Sequence, residues 1–119
     1  MSKAADELAP GKAIMQLVVE AENEAKGDRR TIARFPFFRP VWIRMPGAFR
    51  RRAFSREISA EGIGLIHDFD IPPGEVELSI LSRDGYLVVV TTRIDWCRFC
   101  GDDWHISGGE FVRLGGVGQ

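Results

Sequence analysis

Residues 62–80, GIGLIHDFDIPPGEVELSI, decide the fold class, because two short β-prone runs are separated here by a turn rich in aspartate, proline and glycine. In the second run Val76, Leu78 and Ile80 share one face and Glu75, Glu77 and Ser79 the other. That alternation is what a strand with one wet face requires. On either side the same rhythm gives PVWIRM (40–45), RRAFSREIS (51–59), GYLVVVTTRIDW (85–96) and WHISGGEFVRL (104–114), with turns at MPGA, DIPPGE, SRDGY and CGDDW. Six strands in meander order predict a small antiparallel barrel or sandwich. The run LVVVT (87–91) is uniformly apolar and is expected to be central.

Upstream the period changes. In AIMQLVVEAENEA (13–25), Ile14, Leu17, Val18, Ala21 and Ala25 recur at helical spacing, and Gly27 is a plausible stop. The expected helix is amphipathic, and its apolar face must cover the barrel or a copy of itself. At 119 residues and 45% hydrophobic content the chain suffices for one core. The organisation read from the sequence is an N-terminal segment with the helix (1–28), a β-domain (29–114) and a glycine-rich tail (115–119). No apolar run approaches the ~18 residues needed to cross a bilayer. MSKAADELAPGK has no secretory character, and two cysteines three apart make no disulfide framework. A soluble, cytoplasmic protein is expected.

Charge is unevenly placed. The net charge is −1, yet residues 1–28 sum to −3, residues 29–56 to +9 and residues 57–119 to −7. Nine arginines and no acid lie between Arg29 and Arg56. Arginine stays charged, offers a planar fork of donors and stacks on flat rings, so such a cluster favours phosphate and nucleobase together. The sequence pI near 6.1 argues against bulk duplex binding and for a small anionic ligand. Arg30 and Arg34 flank TIA, and Pro36 disfavours helix at Phe35, which places the pair on an irregular segment entering the first strand. Further on, Ser59 and Gly62 frame a tight turn at a strand end, and the Glu57 carboxylate can accept two N–H bonds from a guanine edge.

These residues carry a resemblance. RRTIARFP (29–36) is similar to the RxxxR motif of PilZ domains, with Arg30 and Arg34 as its arginines, and EISAEG (57–62) resembles their [D/N]xSxxG motif at Ser59 and Gly62. The resemblance runs over about residues 29–114. It implies an all-β fold, a six-stranded antiparallel PilZ-like β-barrel preceded here by the N-terminal helix, that binds cyclic di-GMP, a bacterial second messenger. By the same resemblance Arg30, Arg34, Ser59 and Gly62 are binding positions. Arg29 precedes the motif at a position that, in some members, influences whether one ligand or a stacked pair binds, and an arginine there would favour the pair. One departure stands out: Glu57 replaces the family's Asp or Asn, moving the carboxylate by about 1.5 Å, one C–C bond. Glu57 could reach guanine from a shifted backbone, pair with Arg56 or Arg30, or mark weakened binding.

The remaining motifs carry less. Arg50, Arg51 and Arg52 cannot all face one way on a strand and are read as surface charge near the site. Cys97, Cys100 and His105 fall one ligand short of a structural zinc site, so no metal is expected. No redox work is assigned to the cysteines, and His67 is read as structural. No catalytic group and no cofactor other than the ligand are expected, and therefore no enzyme. The expected function is a cyclic di-GMP receptor that signals through a change of surface to a downstream protein partner. Two alternatives stay open. One is a PilZ-like protein-interaction module with weak or no nucleotide binding. The other is a single-stranded nucleic-acid barrel, since Phe35, Phe37, Phe38, Trp42, Phe49 and Phe54 interleave with the arginines. Acidic content after residue 56 weakens the nucleic-acid reading.

Overall fold

The computed structural model describes residues 10–25 and 34–112, with side chains for 13–22 and 35–112. Helix α1 (Pro10–Ala25) opens on a proline, whose fixed φ and missing N–H suit a first helical position. Ala13, Ile14, Leu17, Val18 and Ala21 are all buried. The helical period is thus confirmed, and its apolar face covers the barrel of its own chain: these side chains belong to the same core cluster as the barrel interior. Glu20 fixes the helix in place. Its Oε1 accepts bonds from Arg39 Nη2 and the Arg83 backbone N–H, both at 3.1 Å, joining α1 to two different loops. Ala25 and Gly27, also read as part of the helix and its stop, lie outside the described side chains and the described residues respectively.

Among the described residues seven strands come after it: β1 (Arg34–Pro36), β2 (Pro40–Arg44), β3 (Arg50–Ser59), β4 (Gly62–His67), β5 (Gly74–Leu81), β6 (Leu87–Gly101) and β7 (Trp104–Phe111). All pairings are antiparallel. Strands β2 to β7 close into a six-stranded barrel because β4 pairs with both β3 and β7, and β1 is an extra strand on β3. Two details differ from the sequence reading. The order is not a plain meander: β2–β3–β4 and β5–β6–β7 are each sequential, but β5 pairs with β2 and β4 with β7. Closure alone does not choose between the orders, since an up-and-down meander also closes; here the long-range pairings β2–β5 and β4–β7 complete the ring. Residues 34–36 are also strand rather than irregular entry, with Pro36 tolerated because β1 lies at an edge.

The interior is filled by Val41, Ile43, Leu65, Leu78, Ile80 and Ile94, each at most 1% exposed. Burying each such aliphatic side chain stabilises the fold by about 1.5–3 kcal/mol. On β5 the alternation appears as expected for Val76, Leu78, Ile80, Glu75 and Glu77, while Ser79, on the outer face, is nonetheless buried. The LVVVT run is not uniformly interior. Val88 and Val90 point in and Val89 is 54% exposed, because a barrel strand has one inner face whatever its composition.

Candidate ligand-binding site

Strand β6 explains how the site is built. Its first part pairs with β5 and its second with β7, with an irregularity between Ile94 and Trp96 that makes room for Asp95. An extra residue reverses the facing of the rest of its strand, so Ile94 and Cys97 both lie on the inner side and Trp96 is turned outward. A second irregularity, between Ser55 and Glu57 on β3, does the same around Arg56. The result is a cross-strand row on the barrel's outer face: Glu57 opposite Gly64, Gly64 opposite Gly108, Gly108 opposite Trp96. The two glycines form a bare floor between a carboxylate and an indole.

The floor requires its glycines in different degrees. A Cβ on Gly62 would strike the backbone carbonyl of Gly109, and one on Gly108 would lie 2.6 Å from Trp96 Nε1. On Gly64 it would lie 2.9 Å from Arg56 Nη2, the far end of a flexible side chain. The Arg56 guanidinium therefore lies beside Gly64, and its Nε donates to the Leu65 carbonyl at 3.3 Å. Ser59 closes the β3–β4 turn: its Oγ accepts from the Glu61 and Gly62 N–H groups at 3.1 and 3.2 Å. Its own O–H is left to donate outward.

Glu57, Ser59, Glu61, Gly62, Gly64 and Trp96 line this trough together with Asp95, Gly108, Gly109 and Glu110. Arg93 donates to Asp95 and Glu110, and those two carboxylates hold its guanidinium above the usual arginine range. Of the six expected site residues the structure thus brings Glu57, Ser59 and Gly62 together. Arg29 and Arg30 lie outside the described residues, and Arg34 is described in its backbone alone. Its Cα is nonetheless in register with Ser59, and Pro36 with Glu57. The irregularity in the β3–β4 register lies directly before Glu57. Trp96 and Arg56 were missed because their outward position depends on bulges that leave no mark in the periodicity, and the Arg93 group because Arg93 meets Glu110 only through the β6–β7 register.

The arginine triplet requires a correction. Arg52 is about 23 Å from Ser59 along β3, at ~3.3 Å per residue, so the triplet is not near the trough. The trough and the cavity that Arg50, Arg51 and Arg52 line share no residue. Strand length separates charges that are close in sequence. Cys97 packs against the core, whereas Cys100 is exposed at a second β6 irregularity between Phe99 and Gly101; both thiols are free. Burial pushes the Cys97 thiol up. Among the described residues no group of three His, Cys, Asp or Glu could hold a metal. His67 is buried, and since a carbonyl can only accept, its Nδ1–H donates to Phe69 O at 2.7 Å while Nε2 accepts from Ser107 Oγ at 2.8 Å.

No family model matches the chain, and no curated protein matches it. Among solved structures it is similar to the Bacillus subtilis inhibitor of motility MotI/DgrA, with a TM-score of 0.55 and 16% identity. The match covers 72% of this chain and 43% of that one, so the chain spans less than half the length of its structural neighbour. At this identity the likeness shows the fold, a PilZ-like barrel. Among the described residues no helix is long and apolar enough to cross a membrane.

Proposed function

We propose that this chain is a cyclic di-GMP receptor module, acting by binding and not by catalysis. The observation that carries the reading is the β1–β3 register. Arg34 opposite Ser59, and Pro36 opposite Glu57, bring the backbone at the end of the arginine motif alongside the strand that carries the serine motif, and Glu57 and Ser59 line the trough. The Glu57 carboxylate accepts the N–H donors of a guanine edge, the Ser59 hydroxyl donates to the ligand, and the glycine floor lets a flat ring approach the backbone. Arg30 and Arg34 grip the phosphates with their planar forks, Arg29 favours a stacked pair of ligands, and the change of surface is read by a protein partner.

A second reading is favoured by the charge of the trough itself. Glu57, Glu61, Asp95 and Glu110 all line it, and carboxylates repel phosphate. On that reading the domain is a PilZ-like interaction module with little nucleotide affinity. Calorimetric titration with cyclic di-GMP, beside GTP and a short oligonucleotide, decides between them. Binding is expected, and Arg30→Ala or Arg34→Ala should each cost about 1.5–3 kcal/mol. Full affinity in both variants removes the site, and no binding by the wild type leaves the interaction module.

A further inference from the structure

We infer that the Arg50 end of the barrel's outer face docks an acidic segment of a partner protein, one in which carboxylates are interspersed with apolar side chains. This surface adjoins the trough, since Arg98 lies over Trp96 of the trough wall, but Arg50, Arg52, Phe54, Ile66 and Ile106 do not line it and the inference does not rest on the nucleotide reading. Its centre is a row that crosses five strands: Pro40, Phe54, Ile66, Ile106 and Arg98 lie opposite one another in succession. Phe54, Ile66 and Ile106 are half-buried on a face where the neighbouring Gly64 and Gly108 carry no side chain. Phe38, 65% exposed, stacks on Phe54 at 5.0 Å, and Trp104 borders the row on its other side, 41% exposed. An apolar strip of this kind, rimmed by polar groups, marks an interaction surface.

The rim carries more cations than anions: Arg50, Arg51 and Arg52 line the cavity there with one carboxylate, Asp68, which lies 3.8 Å from Arg51. Arg39, Arg44, Arg51 and Arg93 each have a carboxylate within salt-bridge reach, whereas among the described residues Arg50, Arg52 and Arg98 have none. Arg52 lies over the Trp42 and Phe54 rings, at 5.8 and 5.9 Å, and Arg98 over Trp96 at 5.2 Å. Stacking holds a guanidinium in plane and leaves its N–H edge to a bidentate acceptor. It also occupies ring faces on which nucleobases would otherwise stack, and the centre of the strip is aliphatic. Both facts favour a protein segment, with carboxylates for the arginines and apolar side chains for the isoleucines, over single-stranded nucleic acid.

The test is fluorescence anisotropy on the full chain with a short labelled peptide of alternating Asp or Glu with Leu or Phe. Its lysine counterpart, an oligothymidylate of matched length and phosphatidylserine-containing vesicles run in parallel. The acidic peptide is expected to bind, more weakly as salt rises, and Arg52→Glu should reduce affinity by about tenfold or more. Arg50→Glu, which breaks no ion pair or ring contact among the described residues, should reduce it in the same direction and keeps the test valid if Arg52→Glu misfolds. Ile106→Ser, in a variant that still melts cooperatively, should weaken the peptide as well. Absence of peptide binding, equal binding of the lysine peptide, or unchanged affinity in a folded arginine variant overturns the assignment. Tighter capture of oligothymidylate or vesicles overturns it in favour of nucleic acid or lipid.

Discussion

The two ends of β3 share one outer face and are built on opposite means. At the Ser59 end the surface is shaped by missing side chains: glycines on β4 and β7 let backbone approach backbone, and carboxylates stand around the gap. At the Arg50 end it is shaped by large side chains, with guanidiniums laid over rings. A hollow and a projection demand different things of sequence. The hollow tolerates almost no added volume, while the projection tolerates substitution but loses its character with each charge removed.

The most severe test of this contrast is to add one carbon. Gly62→Ala should destabilise the barrel by about 3 kcal/mol, because the new Cβ meets a backbone carbonyl that cannot give way. Gly64→Ala should cost under about 1 kcal/mol, since Arg56 Nη2 can swing aside. Denaturant melts of both variants measure the difference, and equal losses would show that the floor yields as a whole.

Behind the arginine face the interior depends on His67. Burial holds this ring below its ordinary value of 6.5, with the charge of His105 acting the same way and the Phe69 carbonyl opposing. The unfolded chain therefore takes up the proton first. The stability that neutral His67 contributes is complete above about pH 6.5 and is lost as pH falls towards the depressed folded value. His67→Gln should cost about 1–3 kcal/mol near neutrality, by leaving Phe69 O or Ser107 poorly satisfied, and should flatten the acid limb of a stability-against-pH curve. Amide protection factors, corrected for the slower intrinsic exchange in acid, should fall on acidification at 66–69 and 105–107 before they do at 57–62. Uniform exchange would mean that the two ends are not held separately.

At the trough, Glu57→Asp tests what the irregularity before Glu57 is for. With the backbone already shifted, shortening the side chain should withdraw the carboxylate and weaken cyclic di-GMP by about 0.5–1.5 kcal/mol. A gain of that size would instead mean that glutamate strains to reach. The smallest effect is expected from Cys97→Ser with Cys100→Ser, whose melting point and ligand affinity should stay close to wild type. Stoichiometric zinc in the purified protein, with melting lowered by chelator, would contradict it.

Much of this was legible in the chain. Helical spacing from Ile14 to Ala21 and alternation from Glu75 to Ile80 arise from local periods that burial later enforces, and the turn residues at 45–48, 82–86 and 100–104 sit where the chain reverses. Gly47 and Gly85 take positive φ there, as do Asp102 and Asp103, which tolerate that region better than most residues. Hidden were properties of pairing. No local pattern records that β5 returns to β2, that Asp95 turns Trp96 outward, or that three residues at Arg34–Pro36 are held by β3. The serine motif could be placed on a turn because Ser59 acts within two or three residues of itself. The arginine triplet was misplaced because proximity in sequence is not proximity along an extended strand.

The close approach of Gly62 to Gly109 bears on how barrels of this kind are told apart. A glycine demanded by the packing of β4 against β7 would persist in a copy of the fold that had stopped binding any nucleotide. Its presence is thus a signature of architecture, and a search that scores it as a ligand contact will count silent barrels as receptors. The discriminating weight belongs to positions that this packing does not demand, where a residue has to be explained by something other than shape.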